Sequence, residues 1–170
     1  MDGDLFLIKD FSIREYLKDY DFIGSMRGDR ENKGLEYVWI GLCFFNIKKL
    51  PNAKTLNFDL TFVDGTLLDS GGSTYYYLKN NPNVRLKKYY KTPISKLPRD
   101  DEEKLKQLGF GNNEIDFLKK SLKLTLPKDD YLLTEFHMDN HFLHYAWSSV
   151  SGNSDYKATL FKDFFNKILN

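Results

Sequence analysis

The sequence contains little cysteine and no strong excess of charge of either sign. A single cysteine, Cys43, excludes an internal disulfide framework among the 170 residues. Because Cys43 lies in an apolar run, we interpret it as a small core residue rather than as a nucleophile. The 25 basic and 24 acidic side chains leave a formal net charge of +1, which provides no global field that would attract nucleic acid or a membrane surface.

Targeting and membrane signals are also missing. The sequence has no signal peptide, no apolar run long enough to cross a bilayer and no Asn-x-Ser/Thr acceptor. We therefore expect a cytoplasmic protein without a membrane span and without a nucleic-acid partner. With 41% hydrophobic and 16% aromatic residues, the chain can build one core, so residues 1–170 are expected to form a single domain or half of a larger one.

The apolar patterns predict a mixed α/β fold, in which helices flank a sheet. The most apolar run is rich in β-forming residues and predicts a central strand from Val38 to Phe45 that is buried on both faces. A period of 3.6 residues predicts a final amphipathic helix from Asp155 to Leu169. Around Asp139-Asn140 we expect a turn that joins two paired strands.

Two charged segments leave their role open. Residues Arg27 to Gly34 form a charged loop bracketed by glycines, typical of solvated loops, although such a loop beside a site can act as a lid. Residues Val84 to Lys91 interleave lysines with tyrosines. That segment is either a solvated strand with packed tyrosines or a surface that holds phosphates or stacks on rings.

One carboxylate, Asp69, stands at a junction that two glycines leave open. An apolar pair precedes it, and Gly71 and Gly72 follow it. In one interpretation, Asp69 caps the helix predicted to begin at Ser73, where it would accept hydrogen bonds from unpaired amides. In the other, the glycines let a ligand or another backbone approach closely, and Asp69 meets a substrate hydroxyl as acceptor or general base.

A second pair of carboxylates lies at the start of the sequence. In an extended backbone, residues two apart point to the same side, so Asp2 and Asp4 could present two carboxylates to one hard cation. Gly3 between them would leave room for a phosphate. The alternative is a solvated, frayed terminus.

All three histidines fall within eight residues, at positions His137, His141 and His144. A three-histidine zinc site fits this spacing poorly, since His141 and His144 are an odd number apart and face opposite sides of a strand, and no cysteine lies nearby. We favour one histidine as a site ligand, with the others as surface or packed polar residues.

Taken in order, these segments resemble a known family. Asp2-Gly3-Asp4-Leu5-Phe6 is similar to the Asp-x-Asp strand end of GT-A-type, nucleotide-sugar-dependent glycosyltransferases of viruses and microbes. Four further segments resemble the acceptor-side half of such enzymes: Asp21-Phe22-Ile23-Gly24, Trp39 to Asn46, Asp69-Ser70-Gly71-Gly72, and Phe142-Leu143-His144-Tyr145.

The resemblance implies roles for individual residues. Asp2 and Asp4 would hold a divalent cation, Mn²⁺ or Mg²⁺, on the diphosphate of the sugar nucleotide, with His144 as a third contact. Asp69 would be the acceptor-side carboxylate, and Trp39, with Gly71 and Gly72, would shape the acceptor site. The chemistry agrees in kind, because a hard cation neutralises charge that builds on the leaving diphosphate.

The sequence departs from this family before the Asp-x-Asp motif. Such enzymes carry a βαβ nucleotide-binding half there, and this chain has no residues for it. We therefore expect a truncated, GT-A-like domain that needs an upstream half, or a second copy of itself, to act on a nucleotide-sugar donor and a carbohydrate or other hydroxyl acceptor. The alternative is a non-catalytic module of that fold that binds a carbohydrate or a protein.

Overall fold

The computed structural model describes residues 5–29, 33–93, 96–98, 100–122 and 134–145, together with Lys162 and Asn166. These residues belong to two compact units. The first unit is Phe11–Lys91, and the second combines residues 5–10 with residues from Thr92 onward. The mixed α/β class is confirmed. Because two compact units can share one domain, the prediction of a single domain for residues 1–170 stays a prediction.

Strands and helices are interspersed along the described chain. The strands are β1 (Leu5–Leu7), β2 (Phe22–Gly28), β3 (Glu36–Phe45), β4 (Thr61–Val63), β5 (Thr66–Leu68), β6 (Leu86–Tyr90), β7 (Thr92–Pro93), β8 (Thr134–His137) and β9 (Phe142–Tyr145). The α-helices are α1 (Ile13–Tyr16), α2 (Thr74–Asn80), α3 (Glu102–Gln107) and α4 (Asn112–Leu122), and a short 3-10 helix spans Ala53–Thr55.

The first unit is built on a three-stranded sheet in the order β3-β2-β6. The central strand β2 is antiparallel to β3 and parallel to β6. The core of the unit combines side chains from the sheet, from α2 and from the intervening loop: Phe22, Met26, Val38, Leu50 and Tyr77. A separate two-stranded hairpin, β4-β5, precedes α2.

The prediction that Val38 to Phe45 forms a strand is confirmed, but its central position and its burial on both faces are wrong. β3 is the edge strand of the described sheet, and its Ile40 is 48% exposed. Its outer edge is nevertheless partly covered, because the backbone amide of Val38 donates a 2.8 Å hydrogen bond to the hydroxyl of Thr74 at the start of α2. An edge strand that is covered can be apolar without pairing with a strand of another chain, which explains why the segment from Val38 to Phe45 can be so apolar.

An ion pair between a buried carboxylate and a largely exposed guanidinium joins the starts of the parallel strands β2 and β6. Asp21 is 7% exposed and precedes β2, while Arg85 precedes β6. The carboxylate of Asp21 accepts hydrogen bonds from the backbone amide, Nε and Nη2 of Arg85 at 3.1, 3.3 and 2.7 Å. The side-chain hydrogen bond from Arg85 holds the pKa of Asp21 below its ordinary value.

We expect the Asp21→Asn substitution to lower the free energy of unfolding at pH 7 by about 1–2 kcal/mol, because the buried carboxylate loses charged hydrogen bonds whose guanidinium partner is screened by solvent. A depressed folded-state pKa stabilises the protein above the unfolded pKa of about 3.9, and this contribution disappears as the pH falls through the folded value. Urea denaturation at pH 7 and pH 3 should therefore show a smaller difference between the two proteins at pH 3.

Asp64→Asn serves as the matched control, because Asp64 lies exposed in the β4-β5 turn at a φ of 48°, which asparagine also adopts. It should leave the stability within about 0.5 kcal/mol of wild type at both pH values. If the difference in the free energy of unfolding between wild type and Asp21→Asn is as large at pH 3 as at pH 7, the ion pair is not the cause of the lower stability.

The second unit contains a four-stranded antiparallel sheet in the order β1-β9-β8-β7. One face of the sheet contributes Phe136 and Leu143 to a core that also contains Leu105 from α3 and Leu118 from α4. All four side chains are no more than 1% exposed. The helices therefore cover this face of the sheet, as expected for an α/β layer.

Other sequence predictions have mixed outcomes. The predicted helix from Asp155 to Leu169 lies outside the described residues, apart from Lys162 and Asn166, which are helical. Burial raises the pKa of the Cys43 thiol to about 11, which agrees with a packed thiol rather than a nucleophile. Among the described residues, no helix has both the length and the apolar composition needed to cross a membrane.

Candidate metal centre

Three potential metal ligands lie on one face of the β8-β9 hairpin. Glu135 and His137 are two residues apart in β8, so their side chains point to the same side of the strand. His144 in β9 is the direct cross-strand partner of Glu135. Because paired residues of antiparallel strands project to the same side, the hairpin register alone brings the three side chains together.

This cluster is buried. The three residues are 7%, 2% and 4% exposed, in the order Glu135, His137 and His144. The opposite face of the same hairpin carries Phe136 and Leu143 into the helical core. A carboxylate and two imidazoles on a buried sheet face are costly unless their charges and hydrogen-bonding groups are compensated.

Two of the three separations between the candidate ligand atoms are close to the edge of a tetrahedral coordination site. Nδ1 of His144 lies 3.4 Å and Nε2 of His137 lies 3.6 Å from the same oxygen, Oε2 of Glu135. One ligand atom from each residue can be chosen so that all three lie within 4.8 Å of one another. Charge-assisted hydrogen bonds are shorter, about 2.7–2.9 Å. Metal–ligand bonds of about 2.0–2.1 Å in a tetrahedral site place ligand atoms about 3.3–3.4 Å apart.

The donor set is characteristic of transition metals. Two imidazoles and one carboxylate suit Zn²⁺ or Fe²⁺, whereas Mg²⁺ prefers oxygen ligands throughout. The cluster gives a tetrahedral ion three protein ligands from the described residues. The fourth position of such a site is commonly taken by water.

The third histidine does not join this cluster. His141 lies in the turn between β8 and β9, where its Nδ1 is 2.8 Å from the carbonyl oxygen of Met138. The turn places Met138, Asp139 and Asn140 at positive φ. His137 and His144, by contrast, lie together with their ring centroids 5.5 Å apart, so the structure brings two histidines to one place where the sequence analysis favoured a single histidine ligand. Glu135, which a four-residue turn places opposite His144, was overlooked in the sequence analysis.

The predicted site residue Asp69 lies in the first unit and is engaged with its own chain. Its Oδ2 lies 3.3 Å from Nη1 of Arg27, and its Oδ1 accepts a 2.7 Å hydrogen bond from the amide of Ser70. The interpretation of Asp69 as the helix cap is wrong, because Ser73 occupies the N-cap position of α2. The guanidinium of Arg27 also lies over the ring of Trp39, 4.7 Å from its centroid.

Asp69, Trp39 and Gly71 lie close together in the structure. Arg27 contacts both Asp69 and Trp39, and Gly71 lies against β3, the strand that contains Trp39. Trp39 is only 4% exposed. A Cβ at Gly71 would overlap the carbonyl oxygen of Val38, well under 3.0 Å away. The close approach predicted for this glycine is therefore made by the backbone of the chain itself. At Gly72 the nearest atoms to an added Cβ belong to Leu68, the last residue of β5, and to Asp69.

The two predicted aspartate ligands, Asp2 and Asp4, lie outside the described residues. The strand that follows them, β1, pairs with β9, and Leu5 is the cross-strand partner of His144. His144 belongs to the second unit, whereas Asp69 belongs to the first. Comparisons of this chain with protein-family models, with curated proteins and with solved structures find no match, so the candidate site stands on its own geometry.

Proposed function

We propose that this chain is a metalloprotein in which Glu135, His137 and His144 hold one zinc-class divalent ion. The observation that carries this proposal is the pair of separations, 3.4 and 3.6 Å, from one carboxylate oxygen to two imidazole nitrogens. They are long for charged hydrogen bonds and close to the ligand spacing around a tetrahedral ion.

Burial supports a role in stability for this ion. Since the ligands are at most 7% exposed, the ion would be shielded from bulk solvent together with the carboxylate that it neutralises. Binding would add a cross-link between β8 and β9, which already pair in the sheet. A metal that binds only the folded hairpin contributes its binding free energy to folding.

Calorimetric titration of tag-free, chelator-treated protein with ZnCl₂ at pH 7 tests the proposal. We expect one bound ion per chain. His137→Ala and His144→Ala should each lower the affinity by more than about a hundredfold, since even the loss of an outer-shell partner of a metal ligand costs about 10–100-fold. With Co²⁺ in place of Zn²⁺, the protein should show the intense visible bands of a tetrahedral ion.

His141→Ala is the matched control, because this histidine is four residues from His137 and three from His144 yet lies in the turn. It should bind zinc with wild-type affinity. Equal affinities in wild type and His137→Ala, or a loss of affinity in His141→Ala as large as in His144→Ala, would remove the assigned ligand set.

A second candidate keeps the family resemblance: the chain is the acceptor and metal half of a GT-A-type glycosyltransferase, with Asp2 and Asp4 on a Mn²⁺ or Mg²⁺ ion. One observation supports it. The strand that begins one residue after Asp4 pairs with the strand that carries His144. In this candidate Asp69 is the acceptor-side carboxylate, and Trp39 contributes to the acceptor wall.

The same calorimeter separates the two candidates when Mn²⁺ is titrated in the presence of a nucleoside diphosphate. The glycosyltransferase candidate predicts Mn²⁺ binding that is lost in Asp4→Ala and kept in His137→Ala. The zinc centre predicts Zn²⁺ binding that is lost in His137→Ala and kept in Asp4→Ala. Mn²⁺ binding that is equal in wild type and Asp4→Ala would leave the second candidate without its cation site.

A further inference from the structure

A cavity of about 390 Å³ lies within the first unit, between α2 and the sheet. Its apolar lining comes from Met26, Leu78, Val84 and Leu86. Three charged side chains also line it, Glu36, Lys79 and Lys88. An apolar cavity with a few polar groups, at the small end of the usual 300–1,000 Å³ range, is the common form of a small-molecule site.

The cavity lies against one face of the sheet. Its lining includes Met26 in β2, and Leu86 and Lys88 in the neighbouring parallel strand β6. Residues two apart in a strand point to the same side, so Leu86 and Lys88 face the cavity together. α2 closes the other side with Tyr75, Leu78 and Lys79, which share one helix face at spacings of three and four residues.

The two lysines that line the cavity have different partners, an acid for Lys88 and an aromatic ring for Lys79. Nζ of Lys88 lies 2.7 Å from Oε2 of Glu36, and the hydroxyl of Tyr90 donates a 2.8 Å hydrogen bond to Oε1. The hydrogen bond from Lys88 holds the pKa of Glu36 below its ordinary value, so these two charges balance. The ammonium of Lys79 lies over the ring of Tyr75, 5.7 Å from its centroid. The charged lining therefore carries one positive charge in excess, at Lys79.

We propose that this cavity binds a small organic monoanion, a compact apolar ring system that bears one carboxylate. The apolar body would contact Met26, Leu78 and Val84, and the carboxylate would pair with Lys79. The volume admits a molecule of about the size of a bicyclic aromatic acid. This site is independent of the metal centre, which lies in the other unit.

Naphthalene-2-carboxylate is a suitable probe, with naphthalene-2-carboxamide as its uncharged counterpart. In methyl-selective NMR titrations, both should cause saturable shifts at Met26, Leu78 and Val84, and the carboxylate should bind about three- to fivefold more tightly, the range of a partly exposed ion pair. Lys79→Gln should reduce the affinity for the carboxylate to that for the carboxamide. Glu36→Gln should increase the affinity for the carboxylate, because it releases the charge of Lys88.

Lys54→Gln, in the exposed 3-10 helix, is the control for a general loss of positive charge and should leave both affinities unchanged. The proposal is overturned if the carboxylate causes no saturable shift at these methyl groups at millimolar concentration. It is equally overturned if Lys79→Gln and Lys54→Gln weaken carboxylate binding to the same extent, since the anion would then not be recognised at Lys79.

Discussion

Gly71→Ala should lower the free energy of unfolding by about 3–5 kcal/mol, a large part of the 5–15 kcal/mol typical of a protein. Gly71 has a φ of +97°, and an added Cβ would overlap the carbonyl oxygen of Val38 in β3. The backbone cannot move aside easily. Its amide donates to the carbonyl of Phe58 at 2.6 Å, and its carbonyl accepts from the amide and hydroxyl of Thr74 at 2.9 and 2.7 Å.

Gly65→Ala separates the two causes of the lower stability expected for Gly71→Ala, which are the strain of a positive φ and the overlap of the new Cβ with Val38. Gly65 has a φ of +81°, and nothing lies within 4 Å of an added Cβ. It should therefore cost only the left-handed strain, about 1–2 kcal/mol. Urea denaturation followed by circular dichroism measures both. If the two alanine variants lose the same stability, backbone strain alone is responsible, and the loop does not rest on β3 as described.

Gly71 shows which part of a close approach can be predicted from the sequence and which part cannot. The pattern Asp69 to Gly72 predicts a close approach, and the close approach exists. A sequence cannot say whether the approaching group is a ligand or the chain's own backbone. Here the backbone of Val38 fills the space at Gly71, so the two glycines by themselves are no indication of an acceptor site.

Local signals were the most accurate part of the sequence analysis. The strands on either side of Asp139-Asn140 were predicted from a turn signal, and β8 and β9 are paired there. The helix after Ser73 and the basic strand after Val84 were also predicted correctly. Each depends on residues that are neighbours in sequence, so local propensity and turn signals suffice.

The order of the strands in the sheet could not be predicted from local sequence patterns. β3 was expected at the centre of the sheet because its apolar run is the longest. The centre is β2, which pairs with β3 and with the distant β6. Similarly, Arg27 was assigned to a solvated loop, although it lies in β2 and pairs with Asp69, 42 residues further on. Such pairings depend on the tertiary arrangement rather than on local pattern.

The candidate metal centre lies between these two cases. Spacing rules were applied to the three histidines alone, and they favoured one histidine ligand, whereas the structure brings His137 and His144 together. The missing step was the hairpin register, which pairs Glu135 with His144 and leaves His137 on the same face. The Glu-x-His spacing of Glu135 and His137, combined with the register of the predicted hairpin, would have identified all three candidate ligands.

Zinc should stabilise the protein strongly if this centre is correct. At a free Zn²⁺ concentration about a thousandfold above the dissociation constant, binding to the folded state alone adds about 4 kcal/mol to the free energy of unfolding. For a chain of this length, that corresponds to an increase in Tm of roughly 8–16 °C. Thermal unfolding of chelator-treated protein, with and without zinc, measures the increase, and addition of excess chelator should reverse it.

The variants distinguish the assigned ligands from any other zinc-binding groups. His144→Ala removes one of the two imidazoles that flank Oε2 of Glu135, so it should abolish the increase in Tm. His141→Ala should keep the full increase, even if its starting Tm is lower after loss of the contact with the Met138 carbonyl. Because zinc that bound mainly to the unfolded chain would lower Tm rather than raise it, a decrease in wild type would rule out a centre formed by folding of the hairpin.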